Sequence, residues 1–209
     1  MAPPSVRVAV ALGALFGFAW AAAFRAYMSE LAGPASKIDW FGTFGAIVLP
    51  GAIVGGLLGW AHALRMRGGR PGWRWLALAP LLFAVAPMFL PGALEALVTE
   101  GLGGGAVGVA LLAIGGGFAI SGRGPLWARI VCGVMSAVLL AGAAATALFL
   151  GRAALPGNEA RGWWTLLLAA SLLMILVLAA SIPFRPVLTH APAGLRPNGG
   201  PESGSSGRE

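Results

Sequence analysis

The chain has 209 residues, of which 58% are hydrophobic and only 10% charged, well under half the roughly 25% charged residues of an ordinary soluble domain. With a mean hydropathy of +0.84, this composition excludes a soluble globular domain and a disordered chain alike, because too little polarity remains to keep either in water. The single Cys132 excludes a disulfide scaffold, and the net charge of +7 is not a nucleic-acid signal, because the arginines fill short gaps between apolar runs.

What remains is an all-α integral membrane protein whose first partner is the lipid bilayer. A helix needs about 20 apolar residues to cross the ~30 Å hydrocarbon core, and six runs qualify. The first, 8–24, follows Arg7 and ends near Ala21-Ala22-Ala23, a pattern shared with cleaved signal peptides. Its apolar run is longer than a signal h-region and carries Gly13 and Gly17 at packing spacing, so a retained helix is expected. The second, 41–64, contains Pro50, which should kink it. The third, 75–94, is the least regular, since Pro80, Pro87 and Pro91 each remove a backbone donor. The fourth spans 101–120, the fifth 130–150 and the sixth 163–184. The sixth is dense in leucine with no glycine from Thr165 to Phe184, which reads as a lipid-facing helix. Residues 1–184 therefore form a six-helix transmembrane domain. Residues 185–209, rich in Pro, Gly and Ser, read as a disordered cytoplasmic tail.

Positive residues in short loops set orientation. With the N-terminus inside, the inner side receives Arg7, Arg65, Arg67, Arg70, Arg74, Arg123, Arg129, Arg185, Arg196 and Arg208, against Arg25, Lys37, Arg152 and Arg161 outside. Both termini are expected in the cytoplasm of a bacterial-type inner membrane. Two inner loops, Arg70-Pro71-Gly72-Trp73-Arg74 and Arg123-Gly124-Pro125-Leu126-Trp127-Ala128-Arg129, look alike. Each should anchor its tryptophan at headgroup depth.

Small residues at four-residue spacing are the strongest pattern. They comprise Ala9, Gly13, Gly17 and Ala21 in the first span, and Gly51, Gly55 and Gly59 in the second. Gly101 with Gly105 and Gly104 with Gly108 follow in the fourth, then Gly133, Ala137, Ala141 and Ala145 in the fifth. Such stripes let backbones approach closely, within the chain, in a homo-oligomer or against another membrane protein. Gly103, Gly105 and Gly108 spell G-x-G-x-x-G, but inside an apolar helix, followed by Arg123 rather than by an acidic residue about 20 positions on, the motif is a packing face.

Catalytic groups are scarce. Asp39 is the only aspartate; His62, His190 and Cys132 lie far apart and form no metal-ligand spacing. No enzyme activity, metal or cofactor is expected, and the absence of midplane charge disfavours ion coupling. The outer face holds the remaining candidates: Arg25, Tyr27, Glu30, Lys37, Asp39 and Trp40, joined by Glu95 and Glu100. Together they would make a polar vestibule over an apolar pocket. The expected role is a non-enzymatic accessory or assembly subunit. The alternative is a carrier or channel component for a neutral or lipid-like solute.

Overall fold

The structure, a computed structural model, describes residues 5–89, 104–153 and 159–187, and every regular element among them is helical. Helix α1 is Val6–Ala32; α2 is Leu49–Met66, entered through a π-helical turn, Trp40–Val48. A broken stretch follows: a 3-10 turn Trp73–Leu78, a short helix α3 (Leu81–Val85) and a second 3-10 turn, Ala86–Phe89. Then come α4 (Gly104–Ile120), α5 (Leu126–Ala153) and α6 (Glu159–Ala180), the last closed by a 3-10 turn, Ile182–Phe184. Four helical stretches, Val6–Ala32, Trp40–Met66, Leu126–Phe149 and Glu159–Phe184, are long and apolar enough to cross a membrane, and Gly105–Ile120 is a shorter apolar helix.

Local chemistry explains the element ends. The Ser5 hydroxyl caps α1 by accepting from the Val8 N–H at 3.2 Å. Gly33, at φ 56°, turns the chain out at the other end while its N–H donates to the Ser29 carbonyl. At 27 residues, α1 reaches about 40 Å, so its last turns project beyond a ~30 Å hydrocarbon layer. Pro50 offers no N–H and would crowd the carbonyl four residues back. The preceding turn widens instead, with the Leu49 N–H donating to the Phe44 carbonyl, and the chain continues as α2 without breaking. Pro80 and Pro87 have the larger effect, because the expected third span is no single helix over the described part of 75–94 but alternates between 3-10 and α turns. Residues 90–94, 101–103 and the tail from 188 lie outside the described residues.

The tightest contact joins α1 to α2, which run antiparallel. A Cβ added at Gly17 would lie 2.8 Å from the Gly55 Cα, one at Gly55 would lie 2.7 Å from the Gly17 Cα, and one at Gly13 would lie 3.0 Å from the Gly59 Cα. Gly51 meets Ala21, and Gly59 meets the Ala9 carbonyl. The two backbones touch with no side chain between them, the arrangement small-residue spacing permits in lipid.

Helix α6 meets the expectation of a lipid-facing sixth span on one face only, where Leu167, Met174, Ile175 and Leu178 are exposed. Thr165, Ala169, Leu172, Leu173, Leu176, Val177 and Ala180 are buried, and α6 packs against α1, α4 and α5. Its neighbour α4 supplies the glycines at the closest approach. A Cβ at Gly117 of α4 would lie 2.8 Å from the Ala180 carbonyl carbon, and one at Gly116 3.0 Å from the Val177 methyls. Polar side chains tie the helices where water is absent. The Thr165 hydroxyl shares its hydrogen among the Gly162 and Arg161 carbonyls of its own helix, at 3.0 and 3.1 Å, and the Ala147 carbonyl of α5 at 3.2 Å. The Trp20 indole of α1 donates to the Leu172 carbonyl of α6 at 2.8 Å.

Candidate functional site

The outer residues expected to form a vestibule are held in local structure. The Arg25 guanidinium reaches the Ser29 hydroxyl and the Lys37 carbonyl, each at 2.5 Å, and lies 3.4 Å from the Ser36 and Thr43 hydroxyls. It thereby folds the α1–α2 connection around itself. The Asp39 carboxylate accepts from the Gly42 N–H at 2.6 Å and caps the π turn. Glu30 pairs with Arg161 at 2.7 Å, joining the end of α1 to the start of α6. Tyr27 is buried, its ring 5.7 Å from Phe24. Lys37 and Trp40 are exposed, and Trp40 packs on Phe44 at 4.9 Å between ring centres. Glu95 and Glu100 lie outside the described residues. Among the described residues, no group of three His, Cys, Asp or Glu side chains converges as a metal site would require.

A different feature emerges on the side of the bundle. Helices α1 and α6 touch at Trp20 and Leu172, then diverge towards the end that carries Arg65 and Arg185. Between them lies a groove of about 360 Å³, within the usual range of small-molecule sites, roughly 300–1,000 Å³. The glycine face of α2, Gly51, Gly55 and Gly59 with Val54 and Leu58, is its floor. Trp20 and Phe83 close its upper end, and His62 and Ile182 mark its lower end. Leu12, Phe16 and Ile175 form its lips and are exposed, Phe16 at 71%. The groove therefore opens sideways, in the direction a bilayer would occupy.

Charge is distributed unevenly between the two ends. The Arg65 Nε donates to the Pro186 carbonyl at 2.9 Å, fixing the end of α2 to the end of α6. The Arg129 Nε donates to the Ala119 carbonyl at 3.0 Å, fixing α5 to α4 at the same end. Arg7, Arg65, Arg67, Arg70, Arg74, Arg123, Arg129 and Arg185 all belong to this end, and the described acids, Glu30, Asp39 and Glu159, belong to the other. The two similar arginine loops differ in detail. Trp73 is buried against Ala61 and Leu64, which corrects the expectation of a headgroup anchor there, whereas Trp127 is 70% exposed. Gly72, at φ 77°, starts the turn that carries Trp73 inward.

Helix α5 presents the opposite character to α6. Ala137, Ala141, Gly142 and Ala145 are exposed, and a Cβ at Gly142 would meet nothing within 4 Å. Gly133 makes only ordinary contact, 3.5 Å from the Ala119 methyl. On α4, Gly104 opens the helix and a Cβ at Gly108 would only reach Leu139, at 4.0 Å. The close approaches of α4 fall instead at Gly115, Gly116 and Gly117, which four-residue spacing does not single out; the consecutive triplet was the available signal. The groove had no sequence signal, because it arises from the divergence of helices far apart in the chain. No protein-family model, curated protein or solved structure matches the chain.

Proposed function

We propose that the chain is a multi-pass protein of a bacterial-type inner membrane, with six crossings and both termini cytoplasmic. We propose further that it acts as a non-enzymatic accessory or assembly subunit, docking a membrane helix of a partner polypeptide along α5. Helix direction supports the crossing number. Helices α2, α4 and α6 finish at the arginine-rich end, where α1 and α5 begin, an alternation that supports one further crossing between Met66 and Gly104. The arginine excess at that end supports its cytoplasmic placement.

The observation that carries the assembly reading is the exposed face of α5, where Ala137, Ala141, Gly142 and Ala145 lie beside the exposed Val134 and Val138. Lipid needs no particular side-chain size, whereas a close helix–helix contact needs small residues. The comparable stripes on α1 and α2 are already occupied by each other; Ala137, Ala141, Gly142 and Ala145 have no such neighbour among the described residues. Native mass spectrometry of the tagged protein from its own membrane tests the reading. A second polypeptide at fixed stoichiometry, lost in Ala141→Leu while the bundle stays folded, is the expected result. A lone monomer, or a partner unaffected by Ala141→Leu and Ala137→Leu, would eliminate α5 docking. The alternative, a carrier or channel component for a neutral or lipid-like solute, draws its support from the lateral groove.

A further inference from the structure

We infer that the groove between α1 and α6 holds an acyl chain of an anionic phospholipid, taken from the leaflet on the arginine-rich side. The inference stands independently of any helix docked on α5. Three observations carry it. The groove is lined by apolar side chains and glycines, with a polar side chain, His62, at its lower end, which suits a hydrocarbon chain and offers little to a polar solute. Its lips are Leu12, Phe16 and Ile175, all exposed, so a chain in the bilayer can slide in laterally without crossing a polar barrier. Its upper end is closed by Trp20, bonded to Leu172 and stacked on Phe24 at 5.0 Å, which gives the occupant a stop and hence a direction.

Charge complementarity then identifies the headgroup. At the open lower end, Arg65 lies one helical turn beyond His62 on the same face of α2, and Arg185 lies one turn beyond Ile182. Arg65 uses its Nε on the Pro186 carbonyl, which holds the guanidinium between the ends of α2 and α6, beyond the groove lining, with its Nη groups able to meet a phosphate oxygen there. The described acids all lie at the other end, so no carboxylate among the described residues competes for these cations. A zwitterionic lipid satisfies the groove as well as an anionic one does; the arginines favour a net negative headgroup.

Native mass spectrometry of the full chain in nanodiscs of equal parts phosphatidylglycerol and phosphatidylcholine tests both halves. The unmodified protein is expected to retain phosphatidylglycerol selectively. Ala179→Trp, which fills the groove, should reduce retention about tenfold, the loss of one decade in affinity. Arg65→Gln with Arg185→Gln should leave a lipid bound but abolish the headgroup preference. Equal retention of the two lipids by the unmodified protein would overturn the headgroup assignment, and undiminished retention by a folded Ala179→Trp would overturn the groove. Should Ala179→Trp fail to fold, phosphatidylglycerol with a photoactivatable acyl chain decides the matter on the unmodified chain. Crosslinks at Leu12, Phe16 and Ile175 are expected, and crosslinks confined to α5 would refute the site.

Discussion

The Trp20 indole N–H donates to the Leu172 carbonyl at 2.8 Å across 152 residues of chain. The same ring stacks on Phe24 and tilts against Phe83 at 5.2 Å, so one side chain joins α1, α6 and the broken third stretch. Trp20→Phe keeps most of the ring packing and removes the donor. It should lower stability by about 1 kcal/mol, within the span measured for interhelical hydrogen bonds in membranes. Trp20→Ala also opens a cavity and should cost several times more, on the order of 3–5 kcal/mol. Denaturant titration in detergent micelles distinguishes the two; equal losses would mean that the hydrogen bond and the ring act as one unit.

Glycines that look equivalent in the sequence should respond in opposite directions to the same substitution. Gly55→Ala forces a methyl into the Gly17 backbone and must separate α1 from α2. Gly142→Ala meets open space and should gain about 0.5–1 kcal/mol from the restricted unfolded chain. Thermal unfolding of the two variants in one detergent provides the comparison. A neutral Gly55→Ala would show that the helix pair can separate at no cost, contrary to the backbone contact described above.

The Glu30–Arg161 pair is partly exposed, at 43% of the Glu30 and 28% of the Arg161 side-chain surface. Such a pair contributes roughly 0–1 kcal/mol, less as salt rises. Glu30→Gln should therefore change stability by less than about 1 kcal/mol in low salt and by nothing measurable in molar salt. A larger, salt-independent loss would assign Glu30 a role beyond joining α1 to α6.

Orientation can be read with single cysteines in a Cys132→Ser background. Arg70→Cys and Lys37→Cys place thiols on exposed positions at opposite ends of the bundle. An impermeant reagent added to intact cells should label position 37 and spare position 70. The reverse pattern would invert the proposed topology and move the lipid site to the outer leaflet.

The all-helical, apolar character was legible from composition and run length alone, because a bilayer admits few ways to satisfy a backbone. The spacing of Gly13, Gly17, Gly51, Gly55 and Gly59 drew attention to α1 and α2, but spacing does not name a partner. The place of α6 was not legible. In lipid both a neighbouring helix and an acyl chain are apolar, so leucine density carries no inside-outside signal of the kind a soluble amphipathic helix shows. Arg25 and Asp39 stand out in the sequence as charges beside apolar runs, whereas their local hydrogen bonds depend on the shape of the turn between α1 and α2, which no sequence pattern records. The groove depends on where α1 and α6 part below Trp20, a tertiary angle that no local pattern records.

The contact between α1 and α2 also orders events during synthesis. Its two faces are separated by a short stretch of chain, so the pair can close as a hairpin while later helices are still being made. The Trp20 indole must wait, because its acceptor lies on α6, 152 residues further along the chain. Until α6 arrives, the first hairpin presents an unsatisfied indole donor to the bilayer. A nascent chain halted before Glu159 should therefore be the form that insertion and quality-control factors encounter.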